Sequence, residues 1–419
     1  MRQHFDTVKV WLLLVLPLLT ILIGTTGIIH TACVRRARLT LKVPTPTLPR
    51  PNAYDTFCQA GDALVDNAAI KIASKPQSSL ALKQRVVEEN SHAIALFHRG
   101  LTYQYLHPPV RTFEKPSPYK KWRELAMIHA EDSQVQAAKG DWSGATQSAI
   151  DTIHFGIMIP HGAPMIGTLV GLAIQKIGRS QLWQVIDHLS ASEARDTEKN
   201  LAVLSSQEVP SPVALQEELW CCYAVLQEEF LKKNKQISSD VSSSSRSRWI
   251  RQMMIDVYTD TMLKEIENSR LPYTRQKRLA FPSGPMAVVA GLLATDCRAV
   301  NYKISENHTH NLLLTTALAL RAYWCEHGRY PTSLHELTPE YLVSIPNDPF
   351  ATRGTFHYRR HGKSYLLYSV GPDGKDNGGT PLIARSEPGE TNKRINADST
   401  GDMPAWTSVQ GSDNENKPK

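Results

Sequence analysis

The stretch LLLTTALALRAYWCEHGRYPT, residues 312–332, separates two textures of this chain: long helical patterns lie before it and short strand patterns after it. Its first part is rich in leucine and alanine and has no proline or glycine, which predicts one helix over 312–327. Gly328 is suited to end that helix, and Pro331 cannot continue it. The stretch therefore predicts a largely buried helix followed by a sharp turn.

Short elements follow this turn. Ser333 and Glu336 have the spacing of a capping box, which predicts the start of a short helix. The segment IPNDPF at 345–350 is a turn bounded by prolines. Two strand patterns come next, at 355–360 and 363–369, and the His-Gly pair between them predicts a hairpin.

The order of these parts, with particular words in it, resembles the globular half of type II secretion pseudopilins. In that family a long helix ends in G-R-Y-P, a Y-L pair leads to I-P-x-D-P-[WF], and a short antiparallel sheet ends in Y-x-[LV]-x-S-x-G-x-D-G. The matching words here occur at 328–331, 341–342, 345–350 and 365–374. The resemblance implies a small α+β module, which we place at 305–380 and call the C-terminal module.

Two features of the family are missing from this sequence. A pseudopilin has a peptidase site with glycine before phenylalanine, and a glutamate inside an N-terminal apolar helix that continues into the globular part. Here the N-terminal apolar run ends at residue 29, far from the module, and has neither feature. We therefore predict a pseudopilin-like module on a separately anchored protein rather than a subunit of a pseudopilus.

The loop after the last predicted strand, VGPDGKDNGG at 370–379, mixes glycines with oxygen-bearing side chains. The major pseudopilin binds calcium in the corresponding loop, so the resemblance implies a calcium site, and Asp373, Asp376 and Asn377 are its candidate ligands. Calcium takes six to eight oxygen ligands on a tightly turning chain. The alternative is that Pro-Asp-Gly and Asp-Asn-Gly simply form turns. A phosphate-binding loop fits this sequence less well, because Asp376 stands where that motif needs serine or threonine and a polar tail follows.

Residues 54–304 have a dominant helical pattern. Apolar residues recur every three or four positions, as in Leu215, Leu219, Cys222 and Leu226, which lays one apolar stripe along a helix. These patterns predict an all-helical domain of packed amphipathic helices, and the whole chain is predicted to be mainly α.

Residues 116–233 also resemble the helical region of uncharacterised membrane-anchored proteins from planctomycete-like and armatimonad-like bacteria. The shared words are G-D-W-x-x-A, I-G-R and L-W, at 140–145, 177–179 and 182–183. This resemblance implies no activity. A tetratricopeptide-type hairpin is an alternative for the first word, but no second copy follows at a period of about 34 residues.

A run of twenty residues without charge, VWLLLVLPLLTILIGTTGII at 10–29, precedes the folded part. That is about the length that crosses a bilayer as a helix. We therefore predict a transmembrane helix at 10–29 within an N-terminal segment 1–34, and a proline-rich linker at 35–53. A cleaved signal peptide is the alternative, although its apolar core is usually about 7–15 residues. The lipid bilayer is thus a predicted partner.

Two opposed observations bear on which side of the membrane the bulk of the chain occupies. Basic residues after the run outnumber those before it, which favours a cytoplasmic C-terminal side, but large domains are translocated largely regardless of charge. The implied calcium loop favours the extracytoplasmic side, where calcium is plentiful. We predict a single-pass protein of the inner (cytoplasmic) membrane with its bulk extracytoplasmic.

Composition and motifs narrow the function. The net charge of +7 is spread along the chain, which predicts no nucleic-acid partner. Six cysteines show no metal-ligand spacing. The polar residues 381–419 predict a disordered tail. Fifteen histidines include no H-E-x-x-H, and no G-x-S-x-G or dinucleotide fingerprint is present, so no catalytic residue or organic cofactor is predicted.

We predict a non-enzymatic interaction or assembly component of the cell envelope, with envelope proteins as partners. The alternative is a membrane-tethered hydrolase whose site lies in the helical domain. Clustering of His129, His154, His161 and His188 with acidic residues in one pocket would favour the hydrolase. Dispersal of these side chains would favour the interaction protein.

Overall fold

A computed structural model describes residues 41–110, 118–236, 241–279, 297–384 and 395–405, with side chains described outside 229–251. The predicted mainly α fold is confirmed, because these residues form eleven α-helices and a small sheet. In chain order the α-helices are α1 (Ala53–Asp62), α2 (Asn67–Ala73), α3 (Leu80–Glu89), α4 (Ser91–Leu101), α5 (Tyr119–Ala138), α6 (Trp142–Met158), α7 (Met165–Val185), α8 (Ala191–Ser205), α9 (Ser211–Gln236), α10 (Val241–Ser269) and α11 (Cys297–His327). Short 3-10 helices lie at Ile186–His188, Tyr273–Arg275 and Leu334–Leu337.

The predicted transmembrane segment, residues 10–29, lies outside the described residues. Within the described part, no helix is long and apolar enough to cross a bilayer. Of the proline-rich linker predicted at 35–53, residues 41–52 form neither helix nor strand, and Ala53 begins α1.

The start of α6 follows from two adjacent residues. Gly140 has a φ of 79°, a left-handed conformation that ends α5. The Asp141 side chain then accepts a hydrogen bond from the Gly144 backbone N–H at 2.8 Å, so it caps the first turn of α6. The word G-D-W therefore encodes a helix end and a new helix start.

The crossing of α6 and α7 depends on three glycines. A Cβ atom built on Gly171 would lie 2.6 Å from the Gly156 carbonyl oxygen, and one on Gly178 would lie 2.7 Å from the Ala149 carbonyl oxygen. No real Cβ atom is accommodated so near a backbone oxygen, so only glycine permits this approach of the two helices. The close approach of α6 and α7 is thereby specified by glycine residues.

Helix α11 is the long central helix. It begins at Cys297, before the predicted helix at 312–327 and before the predicted module boundary at 304/305. Its C-terminal half enters the largest hydrophobic cluster together with α6, α8 and the strands. The helical region and the C-terminal module therefore share one hydrophobic core, whose side chains from α11 include Leu313, Leu314, Ala317, Leu318 and Leu320.

The C-terminal module has the predicted order of parts. The capping box of Ser333 and Glu336 is present, although the helix it opens is a single 3-10 turn at Leu334–Leu337. Strands β1 (His357–His361) and β2 (Ser364–Ser369) form the predicted antiparallel hairpin, in the register that pairs Arg359 with Leu366.

Of the tail predicted to be disordered at 381–419, residues 381–384 and 395–405 take part in β-bridges and a strand, and the remaining residues lie outside the described part. Strand β3 (Met403–Pro404) pairs antiparallel with β2 and completes a sheet of order β1-β2-β3. Met403 and Ala405 are buried, and the Ala405 N–H donates to the Leu367 carbonyl at 2.8 Å. The edge of β2 offers backbone hydrogen bonds and apolar neighbours. This short segment uses both, although the sequence that flanks it is polar.

Candidate functional site

The Asp348 carboxylate joins the proline-bounded turn to the end of β2. Its Oδ1 accepts hydrogen bonds from the Phe350 N–H at 2.9 Å and the Ser369 hydroxyl at 2.7 Å, and its Oδ2 accepts one from the Val370 N–H at 2.9 Å. Asp348 is buried, so these three donors offset the cost of removing its charge from water. Two motifs that are separated in the chain, the proline-bounded turn and the end of β2, therefore meet at the Asp348 side chain.

The GRYP turn is joined to β1 in a similar way. The Pro331 carbonyl accepts from the Tyr358 hydroxyl at 2.8 Å, and the Tyr330 carbonyl accepts from Arg360 Nη1 at 3.2 Å. Glu336 accepts the Tyr323 hydroxyl at 2.6 Å, and its hydrogen bonds, led by the Thr332 hydroxyl, lower the pKa of Glu336 to about 2. The turn, the 3-10 helix and the sheet thus form one hydrogen-bonded unit.

The loop at 370–379 places Asp376 beside the sheet. Asp376 Oδ1 accepts from the Tyr368 hydroxyl and from the Gly378 N–H, both at 2.8 Å, and its Oδ2 lies 3.3 Å from His357 Nδ1. The Gly378 N–H and then the Tyr368 hydroxyl lower the pKa of the Asp376 carboxyl. The carboxylate therefore fastens the loop to both strands of the hairpin.

The other two candidate ligands bind within the loop and its neighbour. Asp373 Oδ1 accepts from the Lys375 N–H at 3.1 Å, and its Oδ2 accepts from the Gly401 N–H at 3.3 Å. Asn377 Nδ2 donates to the Lys375 carbonyl at 2.9 Å. The structure thus brings Asp373, Asp376 and Asn377 into one loop, each with local hydrogen bonds.

Asp402 is the residue of this site that sequence reasoning missed. It is fully buried, and its Oδ2 accepts from the Gly379 N–H at 2.6 Å and the Asn377 N–H at 3.0 Å. Burial raises the pKa of Asp402, and the charges of Asp376 and Asp373 raise it further. The apolar word Met-Pro-Ala-Trp directly after Gly401-Asp402, inside an otherwise polar segment, was the available signal.

The donor set does not form a calcium shell as it is arranged. In the part of the chain that the structure describes, no three His, Cys, Asp or Glu side chains are grouped so that they could hold a metal ion. The carboxylates of the loop accept N–H and O–H groups instead. Calcium coordination would require Asp376 to exchange at least one of these donors for the ion.

A buried polar network joins α7 to α11 in the helical region. Arg179 Nη1 donates to the side-chain oxygens of Asn307 at 2.7 Å and Asn311 at 2.8 Å. Both asparagine nitrogens donate to Gln175 Oε1 and to Glu208 Oε1, so two amides bridge the Arg179 cation and the Glu208 anion. Burial lowers the pKa of Arg179 to about 10. The arrangement fixes the register of α11 on α7.

Of the four histidines of the hydrolase alternative, His129, His161 and His188 contact different partners. The His129 ring lies 3.9 Å from the Phe97 ring, centroid to centroid, in the core. His161 Nδ1 lies within hydrogen-bonding distance of the last carbonyls of α6, and His188 stacks on Trp142 with centroids 3.7 Å apart. Burial lowers the pKa of His154. In the described residues, no metal-binding cluster includes them.

Comparisons with known proteins find no matching family model, no matching curated protein and no matching solved structure.

Proposed function

We propose that this chain is a single-pass, membrane-anchored interaction or assembly component of the cell envelope, without enzymatic activity, whose C-terminal module has a pseudopilin-like fold. Two observations carry the proposal: the Asp348 side chain in the proline-bounded turn joins separated motifs of the module, and α11 of the module shares its hydrophobic core with the helical region. This construction suits a rigid surface presented to a partner.

A second contact supports the same reading. Arg195 on α8 donates to both oxygens of Glu326 on α11, at 2.8 Å and 2.7 Å, and its guanidinium lies 4.2 Å from the centre of the Tyr341 ring. The Tyr341 hydroxyl in turn donates to Glu326. The Y-L word of the module is therefore fastened to the helical region, so the two move together.

The turn after this word offers a position for testing interaction. Val343 is 97% exposed, the highest value for a large apolar side chain in the described residues. A photo-crosslinking amino acid placed at Val343 should form crosslinks to a partner protein in cells, and these adducts should be recovered in the membrane fraction. The same amino acid placed at the exposed Val203 on α8 should form none. Absence of adducts at both positions and at further exposed sites of the module would count against the interaction role.

Compartment is tested separately. Alkaline phosphatase fused after Lys419 should be active, and a fluorescent protein fused there should be dark if it is exported unfolded. The reverse pattern would show a cytoplasmic bulk and overturn the proposed orientation.

The hydrolase alternative is not favoured here, because the described contacts of His129, His161 and His188 are with different partners and no metal-binding group occurs among the described residues. Purified full-length protein that hydrolyses ester, phosphoester or glycoside reporters, and loses this activity on replacement of one of the four histidines, would restore it.

We also propose that the loop at 370–379 binds calcium weakly, through Asp373, Asp376 and Asn377 and, in addition, Asp402. The supporting observation is the crowding of carboxylates: the charges of Asp376 and Asp373 both raise the pKa of Asp402. A divalent cation would relieve this repulsion after Asp376 has turned from its present donors.

A further inference from the structure

The described residues next to the undescribed segments 1–40 and 280–296 all contact one helical hairpin, α9–α10. The Leu41 N–H donates to the Tyr223 hydroxyl on α9 at 3.3 Å. Cys297, the first residue of α11, lies with its Sγ 3.8 Å from the Met262 Sδ on α10. Leu41 and Cys297 contribute to the same hydrophobic cluster as the hairpin.

The residues just before the undescribed segment 280–296 are bound to the same hairpin. Asn268, near the end of α10, accepts from the Lys277 N–H at 2.9 Å and donates to the Lys277 carbonyl at 2.8 Å. Tyr273 packs edge-on against Phe350 of the C-terminal module, with ring centroids 4.7 Å apart. The segment 273–278 is therefore held in place from both sides.

This segment carries charge that no acidic side chain of the described residues neutralises. Arg275, Lys277 and Arg278 are exposed and form no ion pair there. The neighbouring cations differ, because each has an acidic partner: Lys264 with Asp260 at 2.7 Å, Arg270 with Glu267 at 3.3 Å and Arg298 with Asp398 at 2.6 Å. Leu271, which is 44% exposed, shortly precedes the three unpaired cations in the sequence.

Chain length limits how far this surface is from the bilayer. If residues 10–29 span the membrane, the eleven residues 30–40 reach at most about 40 Å when fully extended. The hairpin that receives Leu41 is the one that holds Lys277. The sequence beyond Arg278 and Leu279 also has no charge from 281 to 295.

We propose that Leu271, Arg275, Lys277 and Arg278 form a docking surface for anionic lipid headgroups, which sets the orientation of the folded part on the bilayer. This inference rests on the proposed membrane anchoring. Basic residues near an anionic leaflet are attracted to it, and the effect falls off within a Debye length. The partner is therefore the lipid surface itself, and the attraction is sensitive to salt.

The test uses the full chain in nanodiscs of phosphatidylcholine with and without phosphatidylglycerol. Hydrogen exchange of the peptide 271–279 should slow by about tenfold in the anionic discs at low salt, and the difference should vanish at high salt. The variant R275Q/K277Q/R278Q should lose the slowing. The control K75Q/K120Q/K139Q removes three exposed cations elsewhere and should keep it, with unchanged far-UV circular dichroism in both variants.

The outcomes separate this inference from the anchoring on which it rests. A chain that fails to co-purify with either kind of disc overturns the anchoring. A chain that co-purifies with both, yet shows equal exchange at 271–279 in both, overturns the docking surface and leaves the anchoring intact. Slowing that survives the R275Q/K277Q/R278Q replacement also overturns the proposal, since the contact would then not depend on these charges.

Discussion

At the scale of single residues, His129 is a fully buried titratable group. Neither ring nitrogen has a hydrogen-bond partner in the described structure, and the neighbouring rings are Phe97 and His98. Burial, and to a lesser extent the charge on His98, lowers the pKa of His129 to about 3. A proton on this ring would be a buried cation without a counter-charge.

This burial predicts a loss of stability in acid. The pKa of His129 is depressed in the folded state, so its contribution is complete above the unfolded pKa of about 6.5 and is lost as pH falls towards 3. We expect His129→Leu to reduce the acid destabilisation at pH 4 by about 3 kcal/mol, measured by urea unfolding at pH 7 and pH 4. The exposed His92→Leu is the control for the same replacement at the surface. Equal slopes for His129→Leu and wild type would contradict the assignment.

The position of Asp402 beside the loop leads to a prediction about the effect of calcium on stability. Millimolar calcium should raise the melting temperature of the full-length protein by a few degrees, as expected for a ligand that binds only the folded state. Magnesium should have a smaller effect, because it demands stricter geometry. Asp402→Asn should abolish the calcium shift and, by weakening two buried acceptor contacts, lower stability by about 1–2 kcal/mol without calcium. No shift in wild type would remove the calcium proposal.

At the scale of secondary-structure elements, the approach of α6 and α7 is sterically constrained. Gly178→Ala would place a methyl group 2.7 Å from the Ala149 carbonyl oxygen. We expect a loss of about 2–3 kcal/mol in denaturant unfolding, because the two backbones must separate. Gly328→Ala is the matched control: it has a φ of 65° but no atom within 4 Å, so only the backbone penalty of about 1 kcal/mol applies. A smaller loss at Gly178 than at Gly328 would contradict the steric account.

The second element-scale prediction concerns β3. A chain ended after residue 394 loses the buried Met403 and the hydrogen bonds that Asp402 accepts, whereas a chain ended after 405 retains them. We expect the shorter chain to be less stable by about 3 kcal/mol or more and the longer one to match wild type. Thermal unfolding of the three chains measures this, and equal melting temperatures would restore the disordered tail.

At the scale of the whole molecule, the network around Arg179 ties α7, α11 and Glu208 together across more than a hundred residues of sequence. Arg179→Met leaves two buried asparagine oxygens without their donor and Glu208 without the cation it faces through them. We expect a loss of about 3–5 kcal/mol. The double variant Arg179→Met, Glu208→Gln should recover part of it, as measured by a double-mutant cycle. Strict additivity of the two changes would argue against the bridged pair.

The limits of sequence reasoning are visible in particular residues. The caps at Asp141 and Ser333 and the hairpin of β1 and β2 were predictable, because each depends on neighbours in the chain. The N-terminal part of α11 was missed, because the polar run SENHTHN at 305–311 resembles a break between helices. It is helical since Asn307 and Asn311 find buried partners on α7 that no local pattern reveals.

The sequence by itself determined the helical content, the helix ends and the loop that carries Asp373, Asp376 and Asn377, because apolar periodicity, caps and turn residues act over a few positions. Tertiary structure alone decided that the C-terminal module shares a core with the helical region, and that Asp402 closes the loop. Both depend on burial and hydrogen bonding between segments distant in the chain. Those energies exist only once the segments have been brought together.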